Sequence, residues 1–387
     1  MRKAFLAVVR RECRRLAGNP LYLFCMVAAP LFCYLFFTSL MDEGLPSELP
    51  IAVVDEDRSA TSRNLVRNLD AFPQTRIVLR CASAGEARRA IQRGDVYGYF
   101  YIPPRFEADA QARRQPRLSF YTNYSYLIAG SLLFRDLKMM SELASGAAAR
   151  TVLYARGATE RQAMGFLQPI VIDTHPLNNP WINYSVYLCN TLLPGVLMLL
   201  MLLVTVYAVG SEIKEGTARE WLRTGGRSLL VSLGGKLLPH TVLFFAMGAC
   251  YNFYLYGVLH FPCHSGPLPM LGATLLLVLA SQGLGLFMIG AVPSLRLALS
   301  FASLWGVVSF SIAGFSFPVM AMHPSLQALS NLFPLRHYFL IYTDQALNGY
   351  PVSASAVQFL ALGLFVLLPL TVLRPLHRSL IHDQYLP

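Results

Sequence analysis

The stretch LLPHTVLFFAMGACYNFYLYGVLHFPCHSGPLPMLGATLLLVLASQGLGLFMIGAVPSL, from Leu237 to Leu295, contains no Asp, Glu, Lys or Arg. A transmembrane helix needs about 20 predominantly apolar residues, so this stretch is too long for a single span. The segment HFPCHSGPLP at 260–269 divides it, because prolines and glycine interrupt a helix. We therefore predict two membrane-spanning helices, near 237–259 and 270–292, joined by a short loop.

Four more apolar runs extend this pattern toward both ends of the chain. They predict spans near 21–40, 184–209, 298–320 and 354–373. The first run is longer than the apolar core of a signal peptide, which has about 7–15 residues, so we predict an uncleaved span. Only 14% of the residues are charged, against about 25% in soluble domains. The predicted fold class is an α-helical polytopic membrane protein with six transmembrane helices and an inserted extracytoplasmic α/β domain.

The predicted domain boundaries follow from these runs. They are a cytoplasmic amphipathic interfacial helix at 1–19, transmembrane helix 1 at 20–41, the extracytoplasmic α/β domain at 42–180, transmembrane helices 2–6 at 181–374 with a cytoplasmic coupling loop at 210–236, and a cytoplasmic tail at 375–387. In the first segment Phe5, Val9, Cys13 and Leu16 fall on one helical face and arginines on the other. This pattern is typical of a helix that lies on the inner leaflet.

Lys and Arg are unevenly distributed between the two predicted sides of the membrane. The N-terminal segment has six, the 210–236 loop five, the 293–297 turn one and the C-terminal end two, whereas the short loops of the other side have only Arg336. The positive-inside rule then predicts cytoplasmic termini and an outer location for 42–180. We predict a multi-pass protein of the bacterial inner membrane with 42–180 in the periplasm. The net charge of +11 is interpreted as contact with membrane lipids, not with nucleic acid.

The segment 42–180 has the alternating pattern of a small α/β domain. Strands are predicted at 49–54, 76–80, 96–102 and 118–121, with a returning strand at 169–173 and helices beginning near 60, 83 and 125. The acidic run Asp55-Glu56-Asp57 is interpreted as a charged turn before a helix. We do not predict a metal site there, because no histidine or second carboxylate motif accompanies the run.

The segment that follows the second span carries the most informative short motif. SEIKEGTAREWL, at 211–222, mixes acidic and basic residues with apolar ones directly after a predicted span. A short charged helix joined to a span can transmit force from a soluble partner. A Gly-Lys pair, Gly235-Lys236, then precedes the third span.

With these motifs the chain resembles the permeases of the type-2 ABC transporter family. Members often carry a Glu-x-x-x-Gly-Thr-like element after the second span, which here is Glu212 to Thr217 followed by Glu220. The resemblance includes the Gly-Lys pair, Asn19-Pro20 before the first span and the large domain between spans one and two. It also covers the re-entrant-looking stretches Gly314–Pro324 and Leu332–Leu335 before the last span.

The resemblance implies a permease subunit that is powered by a separate ATPase. Its ATPase-coupling residues would be Glu212, Glu215, Gly216, Thr217, Arg219, Glu220 and Trp221. The implied partners are an ATP-binding ABC subunit and a second permease subunit, either identical or paralogous, and a periplasmic adaptor is a further candidate. No cofactor is expected in this chain, because the phosphate-loop pattern is absent from the sequence; ATP and magnesium would bind the ATPase.

Our leading hypothesis is export of an amphipathic, lipid-like or drug-like substrate out of the cytoplasm or inner membrane. The alternative is a membrane-anchored sensor or assembly scaffold whose periplasmic domain binds a ligand or partner. A secondary transporter is less favoured, because the cores of the predicted spans lack Asp, Glu, Lys and Arg for an ion path. Neither H-E-x-x-H nor G-x-S-x-G occurs, so a membrane-embedded enzyme is also less favoured. His240, inside the third predicted span, stays a candidate functional residue.

Overall fold

Six helices that could cross a membrane organise the chain. A computed structural model describes residues 1–112, 114–180 and 182–382. Within those residues the helices long and apolar enough to span are span 1, Pro20–Leu40; span 2, Tyr184–Lys214; span 3, Leu229–Val258; span 4, Pro267–Ala291; span 5, Leu295–Ile312; and span 6, Val352–Thr371. Together with an inserted sheet region they confirm the predicted fold class.

Ten further α-helices, a 3-10 turn at Val319–Ala321, a π-helical turn at Thr343–Leu347 and four strands complete the described chain. The helices are α1, Arg2–Gly18; α2, Ala60–Asp70; α3, Ala84–Arg93; α4, Phe106–Gln111; α5, Leu127–Ala155; α6, Glu160–Leu167; α7, Ala218–Thr224; α8, Pro324–Ser330; α9, Pro334–Tyr342; and α10, Leu373–His382. The strands are β1, Leu49–Asp55; β2, Thr75–Cys81; β3, Gly98–Ile102; and β4, Ser119–Thr122. The predicted tail at 375–387 is therefore helical at its start, and its residues 383–387 lie outside the described part of the chain.

The residues divide into two compact units. One contains Met1–Asp42 and Pro176–Pro387, and the other contains Glu43–His175. In the second unit the sheet order is β2-β1-β3-β4, with β1 parallel to both neighbours and β4 antiparallel to β3. Side chains alternate along β1, so Ile51 and Val53 join one buried cluster and Ala52 and Val54 join another. The unit thus has a core on each face of its sheet.

One predicted strand is wrong. Residues 169–173 have no strand or helix, and Ile170, Val171 and Ile172 are exposed. Their β-branched side chains favour extended backbone, but a strand also requires a partner for its hydrogen bonds. In the described sheet β2 and β4 remain the edges.

Two span boundaries also differ from the prediction. Span 5 ends at Ile312 and not near 320, because Gly314 adopts a left-handed backbone with φ +106° that a continuing helix does not allow. Span 2 runs on to Lys214 and span 3 begins at Leu229, so the predicted loop at 210–236 is largely helical. Hydropathy placed Glu212 and Lys236 in a loop, whereas the fold pairs both charges inside the protein.

The N-terminal helix packs on the protein through a face that differs from the apolar face predicted for the membrane surface. α1 buries Val8, Glu12 and Leu16, which follow each other at four-residue spacing, whereas Cys13 is exposed. The buried face packs against the start of span 3. A charged residue, Glu12, is thus the centre of the packed face, and the contact of the apolar face with the inner leaflet stays a prediction.

Candidate functional site

The carboxylate of Glu212 joins three elements at one end of the spans. Its Oε1 accepts hydrogen bonds from Arg11 Nη1 at 2.7 Å, Arg15 Nη1 at 2.6 Å and Lys236 Nζ at 2.8 Å. Its Oε2 accepts from Arg11 Nη2 at 3.0 Å and from Thr217 Oγ1 at 2.5 Å. Glu212 belongs to span 2, Lys236 to span 3 and the two arginines to α1.

Lys236 lies between two carboxylates. Its ammonium group is 2.8 Å from Glu212 Oε1 and 2.7 Å from Glu12 Oε2, and all three side chains are fully buried. The other oxygen of Glu12 is 3.0 Å from His240 Nε2. An ionised carboxylate can only accept, so His240 donates through Nε2. We call Arg11, Glu12, Arg15, Glu212, Lys236 and His240 the charge cluster.

The ionised form of Glu12 is the favoured one. Burial by itself would raise the pKa of this carboxyl group, but the hydrogen bond from His240 and the charge of Lys236 act in the opposite direction. Together they hold the pKa of Glu12 below its ordinary value of 4.5. A buried charge is tolerated only when it is paired and hydrogen-bonded, and Glu12 meets both conditions.

Helical spacing and one glycine bring the charge cluster together. Arg11 and Arg15 are four residues apart and therefore lie on the same face of α1. Gly235 lets that helix approach span 3 closely, because a Cβ atom there would lie 2.9 Å from the Cβ of Val8 and 3.1 Å from the carbonyl oxygen of Phe5. Close backbone approach places Glu12 within reach of the lysine that follows the glycine.

The short helix α7 rests on this cluster. Trp221 is fully buried, and Lys236 Nζ lies 5.2 Å from the centroid of its ring, within the range of a cation–π contact. On the other side of α7, Arg219, Glu220 and Arg223 are exposed. Arg219 also donates two hydrogen bonds to the carbonyl oxygen of Ile381 in α10, at 2.8 and 3.1 Å.

The seven residues predicted for coupling separate into an inner and an outer group. The inner group consists of Glu212, Thr217 and Trp221, which pack in or beside the charge cluster. The outer group consists of Glu215, Gly216, Arg219 and Glu220, which are exposed. Glu215 connects the two groups, because Arg15 Nη2 donates to its Oε2 at 2.8 Å. In this conformation Trp221 supports α7 from beneath and offers no surface to a partner.

Five residues of the cluster lie outside the predicted coupling set: Arg11, Glu12, Arg15, Lys236 and His240. Of these, only His240 is a candidate functional residue by its position in the sequence. The arginines had been interpreted as lipid contacts, and Lys236 as a span boundary. The available signal was Glu12, which is the one acidic residue among the basic ones of the N-terminal segment. A single acidic residue on an arginine-rich helix indicates that this face of the helix pairs with a specific cation, whereas a solvated surface would not require it.

The arrangement connects several helices through charged side chains. The three carboxylates of Glu12, Glu212 and Glu215 balance the three cations of Arg11, Arg15 and Lys236. Within the described residues no group of His, Cys, Asp and Glu could hold a metal ion. Together the hydrogen bonds, ion pairs and cation–π contact link α1, α7 and the ends of spans 2 and 3.

Comparison with known proteins identifies the family. A family model described as ABC-2 family transporter protein matches residues 20–373. That range includes Glu212, Lys236 and His240, whereas α1 with Arg11, Glu12 and Arg15 precedes it. None of the curated proteins compared with this chain matches it. Since the family model covers most of the sequence, the chain belongs to the ABC-2 family of transporter proteins and is a membrane-embedded permease subunit of an ABC transporter.

Proposed function

We propose that this permease exports an amphipathic, lipid-like or drug-like substrate out of the cytoplasm or the inner membrane. Family membership implies an ATP-binding ABC partner, and that subunit would bind ATP and magnesium. A second permease subunit would complete the membrane pathway, and a periplasmic adaptor is a further candidate partner. The distribution of Lys and Arg supports an orientation with both termini in the cytoplasm and residues 42–180 in the periplasm.

The observation that carries the proposal is the two-sided position of α7. Its inner side, through Trp221, packs over Lys236, and its outer side presents Arg219, Glu220 and Arg223 to solvent. A soluble subunit that pushes or pulls on the outer side would therefore act on the charge cluster and on three membrane-associated elements. We assign ATPase contact to the exposed residues of α7 together with Glu215 and Gly216, and a supporting role to Glu212, Thr217 and Trp221.

The test uses the double substitution Glu220→Arg with Arg223→Glu, which reverses two exposed charges and keeps the net charge. We expect normal membrane insertion and thermal stability, a loss of ATPase co-purification and a loss of substrate-stimulated ATP hydrolysis. Rim charges act mainly on association, so the effect should be strongest at low salt.

The matched control is Arg296→Glu, which changes an exposed residue at the start of span 5. It should leave co-purification of the ATPase unchanged. Normal ATPase capture and normal export by the α7 double variant would contradict the proposed docking surface. A chain that captures no ATPase in its unaltered form would contradict the proposed function itself.

A further inference from the structure

Arg336 is the one arginine or lysine in the short loops predicted to face outward. It lies in the first turn of α9, and the segment between span 5 and α9 contains only the short helix α8 and one 3-10 turn, Val319–Ala321. Its guanidinium group packs against the backbone of Gly314, where a Cβ atom would lie 3.1 Å from Nη1. The left-handed backbone of Gly314 and its missing side chain thus make room for this cation.

The guanidinium group has far more donors than partners. It carries five N–H groups, yet its side-chain hydrogen bond in the described chain is a long one, from Nη1 to the carbonyl oxygen of Ala313 at 3.4 Å. Nε is buried without an acceptor. Among the described residues no carboxylate lies within ion-pair distance of Arg336, in contrast to Arg11 and Arg15. A partly buried, always-charged group without a counterion is costly, which indicates that an anion outside this chain completes it.

The surroundings of Arg336 indicate where that anion comes from. The segment between span 5 and α9 exposes four large apolar side chains: Phe317, Met320, Leu326 and Leu332. Met320 is 93% exposed, which is unusual for an apolar residue facing water. Apolar side chains beside a cation at the end of a span match the boundary between acyl chains and head groups, where the cation meets lipid phosphates.

We propose that Arg336 binds the phosphate of an outer-leaflet phospholipid, with the apolar segment before α9 inserted among the acyl chains. The exposed edge of the guanidinium would form a bidentate, charge-assisted pair with two phosphate oxygens. The choice of the outer leaflet rests on the proposed orientation, whereas the phosphate chemistry does not. Free phosphate offers the same oxygens without acyl chains, so an experiment can distinguish a phospholipid from inorganic phosphate as the ligand.

The experiment measures lipid binding to the purified full-length chain by native mass spectrometry. The probes are dioleoyl phosphatidylglycerol, dioleoylglycerol, which has the same acyl chains without phosphate, and inorganic phosphate as a competitor. We expect one tight site for phosphatidylglycerol. Its affinity should fall about tenfold or more in Arg336→Gln, because this change removes a charge-assisted hydrogen bond. Arg336→Lys keeps the charge without the planar fork and should bind with intermediate affinity.

One control variant and four defined outcomes decide the test. Arg76→Gln removes an exposed outer-domain charge that pairs with Glu48 and should leave the tight site intact. Equal binding by Arg336→Gln and the unaltered chain would overturn the proposal, as would equal binding of dioleoylglycerol. Full displacement by inorganic phosphate at equal concentration would identify a free-phosphate site and overturn the lipid assignment. A loss of lipid seen only where a dimer dissociates in the same spectra would assign Arg336 to contact between copies. None of these readings requires an ATPase, so failure here leaves the proposed export function standing.

Discussion

The ammonium group of Lys236 lies 2.7 Å from the carboxylate of Glu12, although 224 positions separate them in the chain. Both side chains are fully buried, so the pair is shielded from solvent ions that weaken surface salt bridges. Removing one member of a buried pair leaves the other charge uncompensated, which costs far more than the net value of the pair. This pair therefore holds the N-terminal helix against the membrane spans.

The first prediction concerns the isosteric change Glu12→Gln. It removes one of the two carboxylates beside Lys236 while keeping the side-chain volume, and Glu212 remains as a counterion. We therefore expect it to weaken the docking of α1 by about 1–3 kcal/mol. Hydrogen exchange of residues 2–18 in the purified protein should rise accordingly. Arg14→Gln, an exposed change on the same helix, is the control and should have little effect. Equal exchange in the two variants would contradict a holding role for Glu12.

The second prediction is that alanine substitutions at two neighbouring glycines change the stability of the protein in opposite directions. A Cβ atom on Gly235 would lie 2.9 Å from Val8, whereas one on Gly234 would meet its nearest atom, in the ring of Phe5, at 3.5 Å. We expect Gly235→Ala to destabilise the protein by about 1–3 kcal/mol through overpacking. Gly234→Ala should be neutral or stabilising by about 0.5–1 kcal/mol, because alanine favours a helix. Thermal unfolding would measure both, and the same sign for both variants would argue against close approach of α1.

Much of the fold could be predicted from the sequence, because hydropathy directly reports the medium around a helix. Charge-free runs indicated the six spans, and the short apolar run at 49–54 indicated a strand. Helix ends were less predictable. Span 3 begins at Leu229 and continues past Lys236, since a lysine paired with two carboxylates behaves as a neutral part of the interior.

The site was predictable only in part, because its partner residues are far apart in the sequence. The motif after span 2 drew attention to Glu212 and Trp221, which the structure places in or beside the charge cluster. Its partners in α1 lie about 200 positions earlier, and no local pattern connects residues at that separation. Arg11 and Arg15 on an amphipathic helix predict lipid contact by composition, and only the packing of α1 against span 3 reveals a carboxylate opposite them.

The third prediction is the pH dependence of α1 docking. Glu12 faces Lys236 and His240, and its pKa in the folded protein lies below its ordinary value. Its stabilising contribution is therefore complete above the ordinary carboxyl pKa and is lost only as the pH falls through the lowered one. We expect constant protection of residues 2–18 from pH 8 to about pH 5 and a decline below about pH 4. A decline between pH 8 and pH 5 would show that another group controls docking.

The fourth prediction separates support by Trp221 from contact with a partner. Its ring is fully buried within the chain, so Trp221→Ala should leave a cavity and lower the stability of the isolated permease by about 3–5 kcal/mol. Leu230→Ala, at a position 63% exposed, should change stability little. Thermal unfolding without any ATPase provides the measurement. If Trp221→Ala unfolds like the unaltered chain but loses ATPase capture, Trp221 would be a contact residue instead.

The last prediction is that residues 43–175 fold on their own. The compact unit Glu43–His175 has one core around Ile51, Phe100 and Leu133, and a second around Val54 and Ala90. A unit whose apolar side chains pack on both faces of its sheet does not need the membrane spans to bury them. Expressed without the spans, it should be soluble, with the circular dichroism of a mixed α/β protein and a cooperative thermal transition.

Two substitutions test whether that transition reports the native core. Phe100 is fully buried in β3, so Phe100→Ala should lower the free energy of unfolding by about 3–5 kcal/mol. Val78 on β2 is 46% exposed, and Val78→Ala should cost much less, because little apolar area leaves water there on folding. Similar losses for both would indicate a collapsed but non-native fragment. Aggregation of the fragment under several conditions, while the full chain inserts and folds, would show that this unit depends on the spans for its stability.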